Sequence, residues 1–291
     1  MDMDAILITG PTASGKSALA LDLARRHGGV VINADSMQVY DTLRVLTARP
    51  SEAEMEGIPH LLYGHVPAGE TYSTGDWLRQ AERLVDELRR ERRLPVFVGG
   101  TGLYFKALTG GLSAMPAIPD EIRDRFRARL IEEGPGSLHA ELMRRDPQTA
   151  ATLQPADGQR IVRALEVLEA TGQPIRAFQG QAGTRVIDPA RARKIVVQPE
   201  RSVLYERIDR RFKAMMESGA VEEVQALLAL ELKPQMPVMK AIGVSQIAAM
   251  LKGELSADEV IDKSATATRQ YAKRQMTWFR NQMDESWSRR G

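Results

Sequence analysis

The sequence feature that most constrains this chain is a glycine-rich loop near its N-terminus. Residues 10–17 read G-P-T-A-S-G-K-S and match the phosphate-binding pattern G-x-x-x-x-G-K-[S/T] in full. The loop follows a short apolar segment, Ala5–Thr9, and precedes a segment with helical periodicity, 15–27, which is the strand–loop–helix context that the pattern requires. Such a chain is expected to form a parallel α/β sheet and to bind a di- or triphosphate.

The residues of this loop have distinct chemical roles. Backbone N–H groups at the start of the helix surround a phosphate, Lys16 adds a positive charge, and the Ser17 hydroxyl is placed to ligate Mg²⁺. The predicted diphosphate-binding residues are Gly10, Pro11, Thr12, Ala13, Ser14, Gly15, Lys16 and Ser17.

Strands and helices alternate over the first hundred residues, and helical periodicity dominates afterwards. Strands are predicted at Ala5–Thr9, Val30–Asn33, 95–98 and 193–198, and helices at 15–27, 75–93, 202–218, 219–231, 240–251 and 256–283, with a loop region at 49–69. The segment 115–190 shows helical periodicity and no strand pattern. We therefore predict an α/β fold with three parts. They are a P-loop-type parallel-sheet core (1–114 and 191–291), a helical insertion (115–190) and a helical C-terminal segment.

Composition excludes several classes of protein. The chain has no cysteine, so disulfides and thiolate metal sites are ruled out. The N-terminus carries two aspartates and only a short apolar run, which is unlike an export signal. No stretch approaches the ~20 apolar residues of a membrane span, so a cytoplasmic protein without a membrane partner is expected.

Positive charge is concentrated in two segments. The chain has a net charge of +2, while residues 158–214 carry +6 and residues 260–291 carry +4. Such clustering is typical of a surface that meets a polyanion, and it also fits ordinary solvated helix faces. Charge alone leaves both interpretations open.

A carboxylate follows the second strand, in V-V-I-N-A-D-S, at Asp35. Strand ends of a doubly wound sheet line the site crevice, so Asp35 is expected to face the ligand of the loop. It can accept a proton from an attacking O–H or N–H group, or it can cap a turn with Ser36. The third strand, L-P-V-F-V-G-G-T-G, ends without the aspartate that NTP-hydrolysing P-loop proteins use to hold Mg²⁺, which disfavours an ATPase.

Five segments then occur in order: G-P-T-A-S-G-K-S (10–17), A-D-S-M-Q-V-Y (34–40), P-V-F-V-G-G-T-G-L-Y (95–104), Q-R-I-V-R-A-L-E-V (159–167) and T-R-Q-Y-A-K-R-Q-M-T-W-F-R (268–280). Together they resemble the bacterial isopentenyl-tRNA transferase (tRNA dimethylallyltransferase) family over nearly the whole chain. The resemblance implies dimethylallyl diphosphate as donor, Mg²⁺ as cofactor, and the exocyclic amine of the adenine 3′ to the anticodon as acceptor. In the family this adenine is flipped out of the tRNA anticodon stem-loop. We expect a monomeric enzyme.

The resemblance also implies roles for individual residues. Lys16 and the loop would hold the diphosphate leaving group, Asp35 would take a proton from the adenine amine, and Thr101 would hydrogen-bond either substrate; these three are the predicted catalytic residues. The predicted tRNA-binding residues include Asp35 and Thr101, and the others are Ser36, Met37, Gln38, Arg123, Gln159, Arg160, Ile161, Val162, Arg163, Arg269, Lys273 and Arg280.

Several positions depart from the family pattern on the acceptor side. The family usually has a basic residue after Tyr40 and then I-G-T-A-K-P, whereas this chain has Asp41 and then V-L-T-A-R-P, with Leu46 in place of the glycine. Val244 stands where the family often has tyrosine, and Leu61 and Gly64 replace polar residues.

Three alternatives remain at this point. A P-loop small-molecule kinase would use ATP at the same loop, with Asp35 as the base. A non-catalytic RNA-binding module would have no need for an intact phosphate loop. An adenylate isopentenyltransferase would prenylate a free nucleotide, although its members lack a long helical insertion.

Overall fold

The structure is a computed structural model that describes residues 3–179 and 183–291. It contains two compact units. The first is formed by the chain up to Thr109 together with Arg185–Gly291, and the second by Gly110–Thr184. The predicted insertion, 115–190, overlaps the second unit, while the role of that unit in binding tRNA stays a prediction.

A six-stranded parallel sheet forms the core of the first unit. Its strands are β1 (Ala5–Thr9), β2 (Val30–Asn33), β3 (His60–Leu61), β4 (Pro95–Gly99), β5 (Ala192–Val197) and β6 (Ser288–Arg290). Their order across the sheet is β3-β2-β4-β1-β5-β6. Every residue of β1, β2 and β4 is buried, because helices cover both faces of a parallel sheet. The predicted α/β class with a parallel sheet is therefore confirmed. The carboxyl ends of these three strands meet at one edge of the sheet, where the phosphate loop, Asp35 and Thr101 follow.

Helices pack on the two faces of this sheet. The helices of the first unit are α1 (Lys16–His27), α2 (Glu52–Met55), α3 (Thr74–Arg90), α4 (Gly102–Gly110), α9 (Arg201–Glu217), α10 (Ala220–Leu228), α11 (Val244–Leu251) and α12 (Ala257–Gln282), with a 3₁₀ turn at Pro237–Lys240; α5 to α8 belong to the second unit. On one face Leu7 and Phe97 pack with Trp77 of α3, and on the other Ile8 packs with Leu23 of α1. Trp77 Nε1 donates a hydrogen bond to the carbonyl of Asn33 at 2.8 Å, which fixes α3 against the end of β2.

The structure contains two strands and two helices that the sequence pattern did not predict. The segment predicted as a loop, 49–69, holds α2 and β3, and helix α4 follows β4 in a stretch for which no element was predicted. The C-terminal segment, predicted as wholly helical, ends in β6. Strand β3 has two residues and β6 consists of exposed Ser288, Arg289 and Arg290, so neither presents an apolar run. Pairing with β2 and β5 at the edges of the sheet creates both strands.

The second unit is helical. Its helices are α5 (Asp120–Arg145), α6 (Pro147–Ala150), α7 (Gly158–Thr171) and α8 (Arg176–Gln179), and its described residues form no strand, as expected. Helix α5 is kinked at Gly134, where φ is 77°, directly before Pro135. Arg129 spans the kink by pairing with Glu133 at 2.6 Å and Glu141 at 2.8 Å.

Apolar residues of α5 and α7 form the core of the second unit. Phe126 and Leu142 of α5 are buried with Ile161 and Leu165 of α7. Within residues 3–179 and 183–291, no helix has the length and apolar character needed to cross a membrane.

Candidate active site

The phosphate loop joins β1 to α1 and has a backbone shape that constrains its residues. Gly15 has φ 89° and Ala13 has φ 63°, both in the left-handed region. A Cβ atom at Gly10 would lie 2.4 Å from the carbonyl oxygen of Val197, so only glycine fits there. These turns allow the loop to bend back on itself before the helix begins at Lys16.

Two polar side chains of the loop, the half-buried Lys16 and the buried Ser14, lack the partner that an anion would supply. The Lys16 ammonium donates to the carbonyl of Pro11 at 3.1 Å, within the loop itself. Burial lowers the pKa of Lys16 to about 8, an effect that the Asp35 carboxylate opposes and the Arg211 guanidinium reinforces. The Ser14 hydroxyl oxygen is buried and has no hydrogen-bond partner. A bound phosphate would satisfy both groups, which fits the predicted diphosphate site.

Asp35 and Thr101 lie side by side at the edge of the sheet because β2 and β4 are neighbours. The hydroxyl oxygen of Thr101 accepts a hydrogen bond from the Ser36 N–H at 2.9 Å, and the Thr101 N–H donates to the carbonyl of Ala34 at 3.1 Å. Asp35 Oδ1 accepts from the Met37 N–H at 3.0 Å. The carboxylate therefore does cap a turn, through Met37, and its Oδ2 oxygen has no such contact within the described residues.

Glycine at position 100 opens the space in front of Asp35. A Cβ atom there would lie 3.3 Å from Asp35 Oδ2 and 2.3 Å from the side-chain nitrogen of Gln275. The phenols of Tyr63 and Tyr271 are half-buried nearby. Partial burial raises the pKa of both, with a further contribution from the Asp35 carboxylate. Two aromatic side chains therefore belong to the surroundings of Asp35.

Sequence reasoning missed two residues that hold the phosphate loop from outside. Gln275 of α12 accepts a hydrogen bond from the Thr12 N–H at 2.9 Å, and Arg211 of α9 donates to the Thr12 hydroxyl at 3.4 Å. Burial lowers the pKa of Arg211, partly opposed by Glu54. Arg211 lies in a helix that carries many charges, and Gln275 lies in a motif that the prediction did use, but neither had a pattern pointing inward.

A cavity of about 550 Å³ opens beside the phosphate loop in the first unit. Its wall includes Ser17 of the loop, the apolar side chain of Val98, the ring of Tyr63, and the guanidinium groups of Arg49 and Arg211. The carboxylates of Glu54 and Glu56 also line the cavity and partly balance its cations, while its apolar and aromatic wall suits a small hydrocarbon group.

The predicted acceptor-side residues after Asp35, residues 36–38, belong to a loop that hydrogen bonds within the loop itself stabilise. The side chain of Gln38 donates to the carbonyls of Thr47 at 2.8 Å and Ala48 at 3.2 Å. Its role in the structure is therefore to hold residues 47–48 close to residue 38. Ser36 and Met37 are half-buried at the same edge as Asp35.

Two side chains in the segment that departs from the family pattern, those of Arg49 and Leu46, each pack against a glycine. The guanidinium of Arg49 occupies the space that a side chain at Gly64 would fill, since a Cβ atom there would lie 1.3 Å from Arg49 Nη1. Leu46 lies against Gly243, whose Cβ atom would be 2.7 Å from a Leu46 methyl group, and the next residue, Val244, is buried in the same cluster. The absence of a side chain at Gly64 and at Gly243 thus leaves room for Arg49 and for Leu46, respectively.

The three basic residues predicted along α12 have different surroundings. Arg269 is paired with Asp209 of α9 and donates to the Thr266 hydroxyl. Lys273 lines an open groove of about 540 Å³ together with Trp278, and Arg280 is exposed. Lys273 and Arg280 are available to a polyanion, whereas Arg269 already has a counter-charge.

The second unit separates its predicted tRNA-binding residues into two sets. Ile161 and Val162 are buried in the core of the unit, so their side chains serve packing and cannot contact RNA from the folded state. Arg160 is mostly exposed beside Asp157, and Arg163 pairs at 3.4 Å with Glu166, whose carboxylate is buried.

The other two predicted residues of this unit lie at its surface. Gln159 is exposed. Arg123 pairs with Asp120 at 2.9 Å near the start of α5. These positions stay predictions of an RNA surface.

Comparison with known proteins identifies the family. A sequence profile of the IPP transferase family matches residues 38–282, and a profile described as isopentenyl transferase matches residues 3–66. The chain belongs to the IPP transferase family. It is 73% identical to the tRNA dimethylallyltransferase of Agrobacterium fabrum, over 99% of this chain and 97% of that protein. Identity to the tRNA dimethylallyltransferase of Rhizobium meliloti is 71%, over 99% of this chain and 95% of that protein.

Solved structures of the family agree with the fold. The tRNA isopentenylpyrophosphate transferase of Bacillus halodurans superposes with a TM-score of 0.69 at 34% identity, covering 98% of this chain and 88% of that one. A eukaryotic dimethylallyltransferase acting on tRNA superposes with a TM-score of 0.79 at 28% identity, covering 94% of this chain and 69% of that one.

Proposed function

We propose that this protein transfers a dimethylallyl group from dimethylallyl diphosphate to the exocyclic amine of the adenine 3′ to the anticodon in tRNA. Membership of the family and the relatives named tRNA dimethylallyltransferase support prenyl transfer to tRNA. The observation that carries the chemistry is the juxtaposition of the phosphate loop with the carboxylate of Asp35. The Gln275 amide is hydrogen-bonded both to Thr12 of the loop and to Gly100, where a Cβ atom would lie 3.3 Å from Asp35 Oδ2.

The phosphate loop is proposed to bind the diphosphate as a leaving group. Negative charge grows on the diphosphate as the allylic C–O bond breaks, and Lys16, Arg211 and the backbone N–H groups of the loop are placed to stabilise it. Because the nucleophile is the adenine amine and not water, no water-activating residue is required.

Mg²⁺ is proposed as the cofactor, and the residues present fit it. Within the described residues there is no cluster of three acidic or histidine side chains that could enclose a metal ion. Mg²⁺ does not require one, since it is commonly held by one or two protein oxygens together with phosphate oxygens and water. The Ser17 hydroxyl, at the start of α1, would supply the protein ligand, and the bound ion would neutralise charge on the diphosphate.

Asp35 is proposed as the general base. The adenine nitrogen forms a bond to C1 of the dimethylallyl group, the C–O bond to the diphosphate breaks, and the electron pair leaves with the diphosphate. The proton lost from the amine passes to Asp35 Oδ2, the oxygen that does not cap the turn at Met37. Thr101, bonded to the Ser36 N–H, would hold this segment in position.

The acceptor is proposed to be structured RNA. The second unit presents Arg160 and Arg123 at its surface, and the α12 groove presents Lys273. Basic residues of this kind contact phosphate backbones, which a free adenine nucleotide hardly provides. A kinase remains the second candidate at the same loop. Cytoplasmic location and a monomeric state stay predictions of the sequence.

The test is incubation of the purified protein with Mg²⁺ and dimethylallyl diphosphate, using either an anticodon stem-loop or adenosine monophosphate as acceptor. Mass spectrometry of the nucleosides should show the prenyl group on the adenine 3′ to the anticodon. Preference for the free nucleotide would instead identify an adenylate isopentenyltransferase. Phosphate transfer from ATP to a small acceptor, without prenylation, would identify a kinase.

The role of Asp35 is tested separately. Asp35→Asn should lower the single-turnover rate by ~10²–10⁴-fold, the range for a lost general base. Donor and RNA affinities should hardly change, because the asparagine can still cap Met37. Asp86→Asn, at an exposed carboxylate of α3, is the matched control. A wild-type rate in Asp35→Asn would reduce the carboxylate to a turn cap.

A further inference from the structure

One buried amide connects the phosphate loop to the loop that follows β4. Gln275 lies in the middle of α12 with its side chain buried, only 6% exposed. Its oxygen accepts a hydrogen bond from the Thr12 N–H at 2.9 Å, and its nitrogen donates to the carbonyl of Gly100 at 3.0 Å. The orientation of the amide is unambiguous, since one partner can only donate and the other can only accept.

The two partners of this amide belong to opposite sides of the proposed reaction. Thr12 is part of the loop that would hold the donor diphosphate. Gly100 lies between β4 and Thr101, with its α-carbon facing Asp35 Oδ2. The absence of a side chain at position 100 is what admits the amide, because a Cβ atom there would lie 2.3 Å from the side-chain nitrogen of Gln275.

The helix that carries Gln275 is itself firmly placed in the first unit. Phe279, one turn further along α12, is buried in the main core cluster. Ala272, one turn earlier, is buried against Leu204 and Ile208 of α9. The amide therefore projects from a rigid element, whereas both of its partners lie in loops that have no regular structure of their own.

We propose that Gln275 is a positioning residue that sets the separation between the donor loop and the acceptor base. This inference rests on the proposed prenyl transfer. The amide touches neither substrate; it acts through Thr12 on the leaving group and through Gly100 on Asp35 and Thr101. Since the two loops are held to one side chain, a change in the amide moves them relative to each other.

The expected signature is a loss of rate without a loss of binding. Each substrate is bound by groups on its own side, so the affinity of either one alone depends little on the spacing of the two loops. Bond formation depends on that spacing, and displacement of reacting groups by about 1 Å can lower a rate by ~10²-fold. We therefore expect kcat to fall by ~10–10²-fold, with donor and RNA dissociation constants within about threefold of the wild type.

The decisive variant is Gln275→Met, which keeps nearly the same length and shape and removes both hydrogen bonds. Single-turnover prenylation of an anticodon stem-loop, at saturating donor and RNA, measures the chemical step. Equilibrium binding of dimethylallyl diphosphate and of the RNA is measured on the same preparation. Gln225→Met, at an exposed position of α10, is the matched control and should match the wild type.

A Gln275→Ala variant separates positioning from packing. If the hydrogen bonds matter, the methionine and alanine variants lose rate to a similar extent. If only filled space matters, methionine restores the wild-type rate and the proposal is overturned. A loss of donor affinity equal to the loss of rate would also overturn it, because Gln275 would then simply hold the phosphate loop in shape.

A second approach perturbs the same contact from the other partner and does not depend on the folding of the α12 variants. Gly100→Ala places a methyl group against the amide nitrogen and should displace it. The same loss of rate with preserved binding is expected. Because the new methyl group would also lie 3.3 Å from Asp35 Oδ2, this loss supports the positioning role only together with the loss in Gln275→Met, whereas normal single-turnover kinetics in this variant would refute it. Since all comparisons are made against active wild-type protein, failure of the inference is distinct from failure of the proposed function, in which the wild type itself would not prenylate RNA.

Discussion

The carboxylate of Glu223, on α10, anchors the segment that follows the acceptor-side residues. Its two oxygens accept hydrogen bonds from three consecutive backbone N–H groups, those of Arg44 at 2.9 Å, Val45 at 2.7 Å and Leu46 at 3.1 Å. Three amides that converge on one charged group form an anion-binding concavity, here filled by the protein's own side chain. The segment is also linked to Gln38, through residues 47–48. Glu223 therefore holds the segment that is hydrogen-bonded to Gln38, one of the predicted tRNA-binding residues.

Glu223→Ala removes all three hydrogen bonds at once. Hydrogen bonds to a charged group contribute about 1.5–3 kcal/mol each when both partners are shielded. The N–H of Arg44 is exposed and regains a hydrogen bond to water, while those of Val45 and Leu46 are half-buried and regain less. We expect a local loss of about 2–4 kcal/mol, below the full sum for that reason.

Glu223→Gln provides a graded comparison. The bonds from Arg44 and Val45 both end on Oε1, and the bond from Leu46 ends on Oε2. A glutamine can keep an oxygen at the first position, but its NH₂ group would face the N–H of Leu46. The loss should therefore be about 1–2 kcal/mol, intermediate between the alanine variant and the wild type.

Amide hydrogen exchange measures this directly. Because 1.4 kcal/mol corresponds to a factor of ten, the alanine variant should raise exchange at residues 44–46 by roughly 30–1,000-fold, and the glutamine variant by about 5–30-fold. Glu222→Ala is the control, since it removes a carboxylate from the same helical turn and the same helix dipole. Unchanged protection at 44–46 in Glu223→Ala, or equal effects of the two alanine variants, would refute the anchoring role.

Three further predictions concern the site and its surroundings. Since burial lowers the pKa of Lys16 to about 8, the ammonium loses its proton above that pH, so kcat/KM for the donor should fall about tenfold per pH unit above 8. The pH profile of kcat should stay flat to higher pH, because bound diphosphate keeps Lys16 protonated. Parallel pH profiles of kcat and kcat/KM would contradict this. Arg160→Ala should weaken RNA binding and reduce the slope of log affinity against log salt concentration by about 0.7–0.9. Arg163→Ala should have the same effect and should also lower the thermal stability of the second unit, because the buried Glu166 carboxylate loses its counter-charge. Gly102→Ala should lower the melting temperature, because its Cβ would lie 2.1 Å from the Trp278 ring; an unchanged melting temperature would show that the ring can move.

The secondary structure that could be read from the sequence was encoded locally. Strands β1, β2 and β4 consist of apolar residues that must be buried on both sides, and α3 begins at a capping Ser73 that bonds Asp76. Strands β3 and β6 escaped prediction because they exist only through pairing with a neighbour. Helix α2 was missed for another reason: its start carries a capping box between Ser51 and Glu54, but its four residues include no buried side chain and so show no apolar periodicity.

The candidate site divides in a similar way. The phosphate loop and Asp35 could be predicted, because a loop at a helix start and a carboxylate at a strand end have fixed positions relative to their own elements. The sequence could not indicate that Ile161 and Val162 face inward while Arg160 faces outward with Asp157, since that depends on how α7 packs on α5. These two apolar residues were predicted as RNA contacts because every residue at the start of the α7 motif was assigned to RNA binding, without distinguishing the buried face of the helix from the exposed one.

The phosphate loop, the central strands of the sheet and the family of the protein could thus be predicted, because each is encoded in short contiguous segments. The contacts that hold the site together are visible only in the folded protein. Gln275 is separated from Thr12 by 263 positions and from Gly100 by 175, and Glu223 lies 177 to 179 positions from the amides that it binds. The two atoms of a hydrogen bond can belong to any two positions of the chain that folding brings together. A polar residue in a helical pattern does not indicate which partner it will contact.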